Sequence, residues 1–206
     1  DVYKRQATMI LAASANIKVF ATGGVGGVHL DAEKTFDVSA DLQELAQTPV
    51  TVISAGPKAI LDLPKTLQVL ETLGVPVVTF GQDELPAFWS RSSGLRSPIR
   101  MNSAEEIARS QLIREALSIP GGQLVANPIP AYAEIPFQEI LPIIKKAHLE
   151  ANKENISDKN LTPFLLEKVF NLTDGASLNA NIELVKNNAS LACKVASSLI
   201  TEKSRL

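Results

Sequence analysis

Val19–Leu63 reads VFATGGVGGVHLDAEKTFDVSADLQELAQTPVTVISAGPKAILDL, and this stretch decides the fold. It contains two short apolar runs of the kind that form buried strands, and each run ends in a loop that contains glycine. In an open α/β sheet, ligands bind at the carboxyl ends of the strands, where such loops lie. The stretch therefore predicts part of a parallel sheet together with a ligand site at its edge.

The alternation of strand and helix patterns extends beyond this stretch, from residue 17 to residue 155. Amphipathic segments with capping signals separate the runs typical of strands, which are 17–21, 50–54, 75–81 and 123–127. From Pro163 onward the pattern is helical throughout. We therefore predict an α/β fold in which helical layers flank a mostly parallel sheet, followed by an all-helical C-terminal segment.

The loop after the first strand, Thr22–Gly27, is rich in glycine, which tolerates positive φ and lets a backbone approach a ligand closely. Its spacing is not that of a dinucleotide-binding loop, because His29 stands where the third glycine of G-x-G-x-x-G is required. Taken alone, the loop is explained at least as well by a sharp turn without a ligand.

Ser39 is a favourable N-cap for a helix that begins at Ala40, and this helix points its N-terminus toward the glycine loop. A helix N-terminus carries partial positive charge and free N–H groups, which suit a phosphate. The alternative is that Ser39 and Asp41 only cap the helix and balance its dipole.

Lys58 follows Gly56 and Pro57, which the pattern predicts to begin a helical turn. Positive charge is unfavourable in the first turn of a helix, so this position favours a lysine that must be neutral. A neutral lysine can attack a carbonyl carbon or the C1 of a sugar and form a Schiff base. The alternative is an ordinary solvated lysine, since Lys and Arg together number 20 in this chain.

Composition limits the function classes. The formal net charge is −2 and no basic block occurs, so nothing supports nucleic-acid binding. No apolar run is long enough to predict a membrane span. Cys193 is the only cysteine, which excludes an intramolecular disulfide and a cysteine-built metal site and fits a reducing cytoplasm.

Residues 1–6 read Asp-Val-Tyr-Lys-Arg-Gln, the translation of a sequencing adapter, and we expect them to be non-native. The chain then continues at Ala7 within a helical pattern that has no cap. An uncapped entry suggests that native sequence before Ala7 is missing.

The last helical segment contains an unusual set of asparagines, and Asn181 shares one face with Val185, Asn188 and Ala192. An amide on a face that otherwise packs into a core needs hydrogen-bond partners, which are either protein groups or a ligand. The usual explanation for an asparagine at such a position is a core amide whose hydrogen-bond partners are protein groups.

Several strings in a fixed order resemble one family, the pseudouridine-5'-phosphate glycosidases related to indigoidine synthase A. The resemblance covers residues 7–206, and it rests on the strings at 20–29, 35–45, 54–63, 85–89, 125–130, 162–166 and 177–188. It implies reversible cleavage of the C1'–C5 carbon–carbon glycosidic bond of pseudouridine 5'-phosphate, giving uracil and ribose 5-phosphate. It also implies a small-molecule substrate, no nucleic-acid or membrane partner, a homotrimer and a cytoplasmic location.

The resemblance also assigns roles to single residues. Lys58 matches the lysine that forms a covalent adduct with ribose C1, and His29 and Asn181 match the histidine and asparagine that contact the base. The substrate-binding triplet corresponds to Ser39-Ala40-Asp41, and the aspartate associated with one Mn²⁺ per subunit corresponds to Asp37.

The family resemblance implies that residues 7–206 are the C-terminal two-thirds of a single domain. One catalytic group of the family has no counterpart in residues 7–206, namely the glutamate that acts as general acid. We therefore expect the 206-residue chain by itself to be inactive. Two alternatives stay open on the same scaffold. They are a non-catalytic phosphosugar-binding domain and an indigoidine-pathway accessory protein that acts on another phosphosugar.

Overall fold

The computed structural model describes residues 4–157 and 160–204. Its centre is a five-stranded sheet in which all paired strands are parallel and the spatial order is β1-β2-β5-β3-β4. The strands are Val19–Ala21 (β1), Thr51–Ser54 (β2), Val77–Phe80 (β3), Ile99–Met101 (β4) and Gln123–Ala126 (β5). The predicted α/β class with a parallel sheet is confirmed.

Helices pack on the sheet and alternate with its strands along much of the chain. Those in the α/β part are Lys4–Ser14 (α1), Ala32–Thr35 (α2), Ala40–Gln47 (α3), Leu63–Thr72 (α4), Ala104–Ala116 (α5) and Phe137–Lys153 (α6). A 3₁₀ turn, Ala131–Ala133, precedes α6, and the chain ends with Leu161–Leu172 (α7) and Ala176–Lys203 (α8). The predicted all-helical C-terminal segment is thus confirmed.

The sequence signals for helix starts match the structure closely. Ser39 caps α3 by accepting a hydrogen bond from the Asp41 N–H, and Asp62 caps α4 by accepting one from the Lys65 N–H. Ser103 does the same for α5 through the Glu106 N–H. Each cap satisfies a backbone donor that has no partner within its helix.

Strands β2 and β5 lie at the centre of the sheet, and every residue in them is buried. Parallel strands covered on both faces need apolar side chains on both sides, which explains the continuous apolar runs in the sequence. Helix α8 packs on β1, β2 and α5, where Leu191, Val195 and Leu199 join the core around Ile53 and Val125. The C-terminal helix is therefore part of the main core.

Two local features differ from the sequence prediction. Strand β4 was not predicted, because it is three residues long, lies at the sheet edge and has two exposed residues. The predicted helical turn at Pro57 is wrong, since Pro57 instead pairs with Val25 in an isolated parallel bridge. Gly56, at φ +90°, turns the chain into this bridge.

The predicted non-native segment is partly outside the described residues, which begin at residue 4. Lys4–Gln6 form the first part of α1, and the Arg5 side chain pairs with Asp41. The origin of residues 1–6 stays a prediction. Within 4–157 and 160–204, no helix is both long and apolar enough to cross a membrane.

Candidate active site

The glycine loop after β1 lies directly beside the loop after β2. The Val25 N–H donates to the Gly56 carbonyl at 3.2 Å, and the Lys58 N–H donates to the Val25 carbonyl at 3.2 Å. A further bond runs from the Asp62 N–H to the Val28 carbonyl at 2.9 Å. These backbone bonds hold the two loops together at the carboxyl edge of the sheet, where the sequence predicted a site.

Two glycines allow the loop to lie against its neighbours. A β-carbon at Gly26 would stand 2.1 Å from the Ser39 hydroxyl, and one at Gly27 would stand 2.4 Å from the Thr66 hydroxyl. Any side chain at either position would force these groups apart. Glycines are therefore required here by packing, because the loop lies in close contact with the starts of α3 and α4.

The start of α3 carries the predicted substrate-binding triplet Ser39-Ala40-Asp41. Ser39 and Ala40 are half-buried, whereas Asp41 is buried and accepts hydrogen bonds from the Gly26 N–H at 2.8 Å and from Nε of Arg5 at 2.6 Å. Asp41 thus fastens the glycine loop to α3, and the helix N-terminus faces the same loop.

Lys58 is half-buried in the loop after β2, with its pKa lowered to about 8. Burial is the main cause, the positive charge of Arg5 adds to it, and the carboxylate of Asp41 opposes both. The expected helix N-terminus is not the cause, because no helix begins there. Of the three causes expected to lower this pKa, burial and a nearby cation agree with the structure, and only the helix N-terminus is wrong.

His29 and Asp37 face each other where the glycine loop meets the segment before α3. Nδ1 of His29 lies 3.9 Å from a carboxylate oxygen of Asp37, and Nε2 lies 3.4 Å from the Thr162 hydroxyl. Burial lowers the pKa of His29, Asp37 opposes this effect, and Lys58 and His148 add to it. The imidazole is therefore neutral at pH 7, with one ring nitrogen able to accept a hydrogen bond.

A divalent cation would find few protein ligands here. The described residues contain no group of three or more His, Cys, Asp or Glu side chains arranged to bind a metal. Asp37 keeps 29% of its side chain exposed, and the neighbouring Nδ1 of His29 is buried without a hydrogen-bond partner in the described part of the chain. One carboxylate and one imidazole nitrogen fit a cation such as Mn²⁺ whose other ligands are water or substrate oxygens.

Asn181 reaches the site from α8 and is held by a residue that the sequence analysis did not assign to the site. Nε1 of Trp89 donates to Oδ1 of Asn181 at 2.8 Å. Trp89 is buried and meets Phe88 edge to face, with ring centroids 4.9 Å apart. The Phe88 ring in turn covers Gly24, where a β-carbon would stand 2.7 Å from it. Asn181 is therefore connected to the glycine loop through two aromatic rings.

The predicted residues fall into three connected groups, namely His29 with Asp37, Ser39–Asp41 with Lys58, and Asn181 with the aromatic pair. Three supporting residues were missed by the sequence analysis, namely Trp89, His148 and Thr162. Two of them lay within strings already recognised, Trp89 in 85–89 and Thr162 in 162–166. His148 is one of only two histidines, a composition signal that could have drawn attention to it.

Known proteins match this chain over most of its length. Relatives named pseudouridine-5'-phosphate glycosidase, from Jannaschia sp. (strain CCS1) and Paracoccus denitrificans (strain Pd 1222), are 64% and 62% identical over 95% of the chain. The chain spans 65% and 64% of the length of these two curated relatives, which is just under two thirds.

Solved structures show the same fold. The prealnumycin C-glycosynthase AlnA in complex with ribulose 5-phosphate superposes with a TM-score of 0.91 at 31% identity, covering 97% of this chain and 66% of that one. An indigoidine synthase A-like protein from Thermotoga maritima gives a TM-score of 0.85 at 38% identity, covering 94% and 63%. The sequence model described as "Indigoidine synthase A like protein" matches residues 5–198, so the chain belongs to the indigoidine synthase A-like family.

Proposed function

We propose that this chain carries the nucleophile half of a pseudouridine-5'-phosphate glycosidase site. The protein that contains it reversibly cleaves the C1'–C5 bond of pseudouridine 5'-phosphate to uracil and ribose 5-phosphate. The names of relatives at 62–64% identity support this assignment. The single observation that carries it is the lowered pKa of Lys58, on a loop fastened to the glycine loop.

The proposed chemistry explains why a lysine is needed. A carbon–carbon glycosidic bond resists simple acid cleavage, because its leaving group is a carbon atom. The neutral amine of Lys58 forms a bond to C1' while the ribose C1'–O4' bond opens, and O4' takes up the proton that the nitrogen loses. The C1'–C5 bond then breaks, and its electron pair passes to C5 of uracil, which takes up a proton. The lysine nitrogen forms an imine with C1', and water releases ribose 5-phosphate.

We assign the remaining contacts by position. His29 and Asn181 hold the base, and Ser39-Ala40-Asp41 is the substrate-binding triplet. The phosphate is held by the Ser39 hydroxyl and by backbone N–H groups at the N-terminus of α3, which favour an anion. The neutral imidazole of His29 can donate one hydrogen bond and accept another. The proton donor to uracil C5 is not assigned to any residue between 7 and 206.

We propose Asp37 as the protein ligand of one Mn²⁺. A hard cation bound there would neutralise negative charge on a substrate oxygen. Asp37→Asn is expected to lower Mn²⁺ affinity at least about tenfold, since a carboxylate charge is lost. Titration followed by electron paramagnetic resonance measures this affinity. Asp31→Asn, on a nearby exposed carboxylate, is the control and should have little effect.

A turnover assay tests the proposed function. A protein of the relatives' full length that includes this chain should condense uracil with ribose 5-phosphate to pseudouridine 5'-phosphate. Lys58→Ala should lower the rate by several orders of magnitude, because no other amine replaces the nucleophile. Activity of the Lys58→Ala variant at the wild-type rate would contradict the assignment.

A second function on the same scaffold has one specific observation in its favour. The solved relative AlnA is named a C-glycosynthase and holds ribulose 5-phosphate. An accessory enzyme of that type would join a phosphosugar to a different carbon acceptor, and a non-catalytic domain would bind the phosphosugar alone. Substrate profiling separates these outcomes, because only the glycosidase favours uracil as the acceptor.

We also propose that the full-length protein is a cytoplasmic homotrimer. This proposal rests on the resemblance of the chain to the pseudouridine-5'-phosphate glycosidases. Analytical ultracentrifugation of the full-length protein tests the trimer, for which a single species of three times the monomer mass is expected.

A further inference from the structure

A single hydrogen bond fixes the orientation of the Asn181 side-chain amide. Its Oδ1 accepts the indole N–H of Trp89 at 2.8 Å, and an indole nitrogen can only donate. The oxygen of the amide therefore faces Trp89, and the NH₂ group faces away from it. Within residues 4–157 and 160–204, this NH₂ group donates to no protein acceptor.

Trp89 is held firmly enough to fix this orientation. Its side chain is 1% exposed and lies in a core cluster that includes Ile140 and Leu184. Its carbonyl accepts the Ile135 N–H at 2.9 Å, and its ring packs against Phe88. A rotation of the indole would require this cluster to repack, which is costly in a dense core.

The backbone before Trp89 is strained in a way that serves this arrangement. Phe88 has φ +58°, in the left-handed region that bulky residues rarely adopt, and its N–H donates to the Ala55 carbonyl at 3.0 Å. This conformation places the Phe88 ring on Gly24 while Trp89 reaches Asn181. Strain of this kind persists where the surrounding structure stabilises it, and it is frequent at functional sites.

From these contacts we infer that Trp89 is a positioning residue that orients the Asn181 amide, so that the site presents a hydrogen-bond donor to the nucleobase. The inference rests on the proposed function, in which Asn181 contacts the base. A donor selects a base with a carbonyl oxygen at the contacted position and disfavours one with an amino group there. Uracil has carbonyl groups at C2 and C4, whereas cytosine has an amino group at C4 and isocytosine has one at C2.

Base selectivity tests this inference. Calorimetric titration of the chain in the presence of ribose 5-phosphate should give about 10- to 100-fold weaker binding than uracil for one analogue, cytosine or isocytosine. It is the one with its amino group at the contacted position, since a donor enclosed by the bound base would face another donor. In Trp89→Phe the amide is free to turn, and this preference should fall to about threefold or less. Tyr132→Phe is the matched control, because it removes another hydrogen bond to α8, from Tyr132 to Glu183, away from Asn181.

A second variant keeps the test valid if Trp89→Phe does not fold. Asn181→Asp still accepts the indole N–H but cannot donate, so it should favour the amino analogue over uracil. A Trp89→Phe protein that folds and keeps the full wild-type preference for uracil would overturn the inference. So would an Asn181→Asp protein with that preference.

The hydrogen bond itself can be tested without any ligand. Trp89 is the only tryptophan, so the chain has a single indole N–H resonance. This proton should exchange slowly, and Asn181→Leu should shift its resonance and speed its exchange. An unchanged resonance would overturn the positioning role of Trp89. Failure of the wild-type chain to bind any base would instead contradict the proposed base contact of Asn181.

Discussion

Lys58 is the residue whose chemistry depends most on its surroundings. With a pKa of about 8, about a tenth of the amine is neutral at pH 7. An ordinary lysine, at 10.5, has only about three neutral molecules in ten thousand. Burial of the loop supplies most of this difference, and Arg5, which lies in the segment expected to be non-native, supplies part of the rest. The nucleophile is therefore activated by its loop environment and not by a helix dipole.

The pH dependence of Lys58 reactivity is the first prediction. Since only the neutral amine attacks carbonyl compounds, the rate of modification should rise with pH and reach half its maximum near pH 8. Arg5→Gln removes a nearby positive charge and leaves Asp41 unpaired, so the midpoint should move to higher pH. Arg100→Gln, at an exposed ion pair on β4, is the control and should leave the midpoint unchanged. Mass-spectrometric peptide mapping after timed reaction measures the rate.

Gly26 carries the second prediction at the scale of single residues. Gly26→Ala places a methyl group on the Ser39 hydroxyl, and the unfolding free energy should fall by about 1–3 kcal/mol, which is typical of overpacking. Gly23→Ala is a matched control, since its β-carbon meets its nearest neighbours at 3.4 Å. Urea unfolding compares the two variants. Equal stability of both would contradict the close contact between the glycine loop and α3.

Among the elements, α8 connects the sheet to the site. Nδ2 of Asn188 donates to the carbonyls of Thr22 at 2.9 Å and Gly23 at 3.3 Å, and its Oδ1 accepts from Asn127 at 3.1 Å. Asn188 is fully buried, so these partners satisfy an amide that would otherwise destabilise the core. The expectation of a satisfied core amide on this helix face is confirmed for Asn188.

The third prediction concerns this amide. Asn188→Leu should lower the unfolding free energy by about 1–3 kcal/mol, because the Thr22 carbonyl and the buried Asn127 amide lose their hydrogen bonds to Asn188. Asn179→Leu changes an exposed asparagine of the same helix and should alter stability by less than about 0.5 kcal/mol. Thermal or urea unfolding of both variants measures this difference in stability. If Asn188→Leu is as stable as wild type, the network does not anchor the loop.

Helices and strands were predictable from the sequence where residues within the same turn or segment determine them. Ser39, Asp62 and Ser103 are residue types typical of N-caps, and each of them precedes a helix in the structure, since a cap acts within one turn. Strand β4 was not predictable, because its three residues form a strand only by pairing with β3. The error at Pro57 has the same origin. Its bridge partner Val25 lies far away in the sequence, and tertiary pairing outweighed a local preference.

At the scale of the whole molecule, the site is assembled from distant parts of the chain. Thr162 contacts His29 although the two are 133 residues apart in the sequence, and Trp89 contacts Asn181 across 92 residues of sequence. The resemblance assigned roles to His29 and Asn181, but not to their partners Thr162 and Trp89, because those contacts depend on how the helices pack. The sequence therefore predicted candidate residues, while the contacts that orient His29 and Asn181 required the structure.

His148 gives a prediction for the stability of the whole molecule. Burial lowers its pKa below 6.5, against the opposing effects of the Ile60 carbonyl and Asp31. As pH falls, the unfolded chain therefore takes up a proton before the folded one does, and stability is lost from about pH 6.5 downward. His148→Gln should lose less stability than wild type between pH 7.5 and 5.5 in urea unfolding. An identical loss in both proteins would mean that His148 does not contribute.

The central claim is that Lys58 is a nucleophile toward the sugar, and chemical trapping tests it most directly. The chain is incubated with ribose 5-phosphate at pH 8, reduced with borohydride and mapped by mass spectrometry. The adduct should be confined to Lys58, lost in Lys58→Ala and retained in Lys18→Ala, which alters a partly exposed lysine near β1. A label spread over the exposed lysines, with equal total labelling in Lys58→Ala, would contradict it.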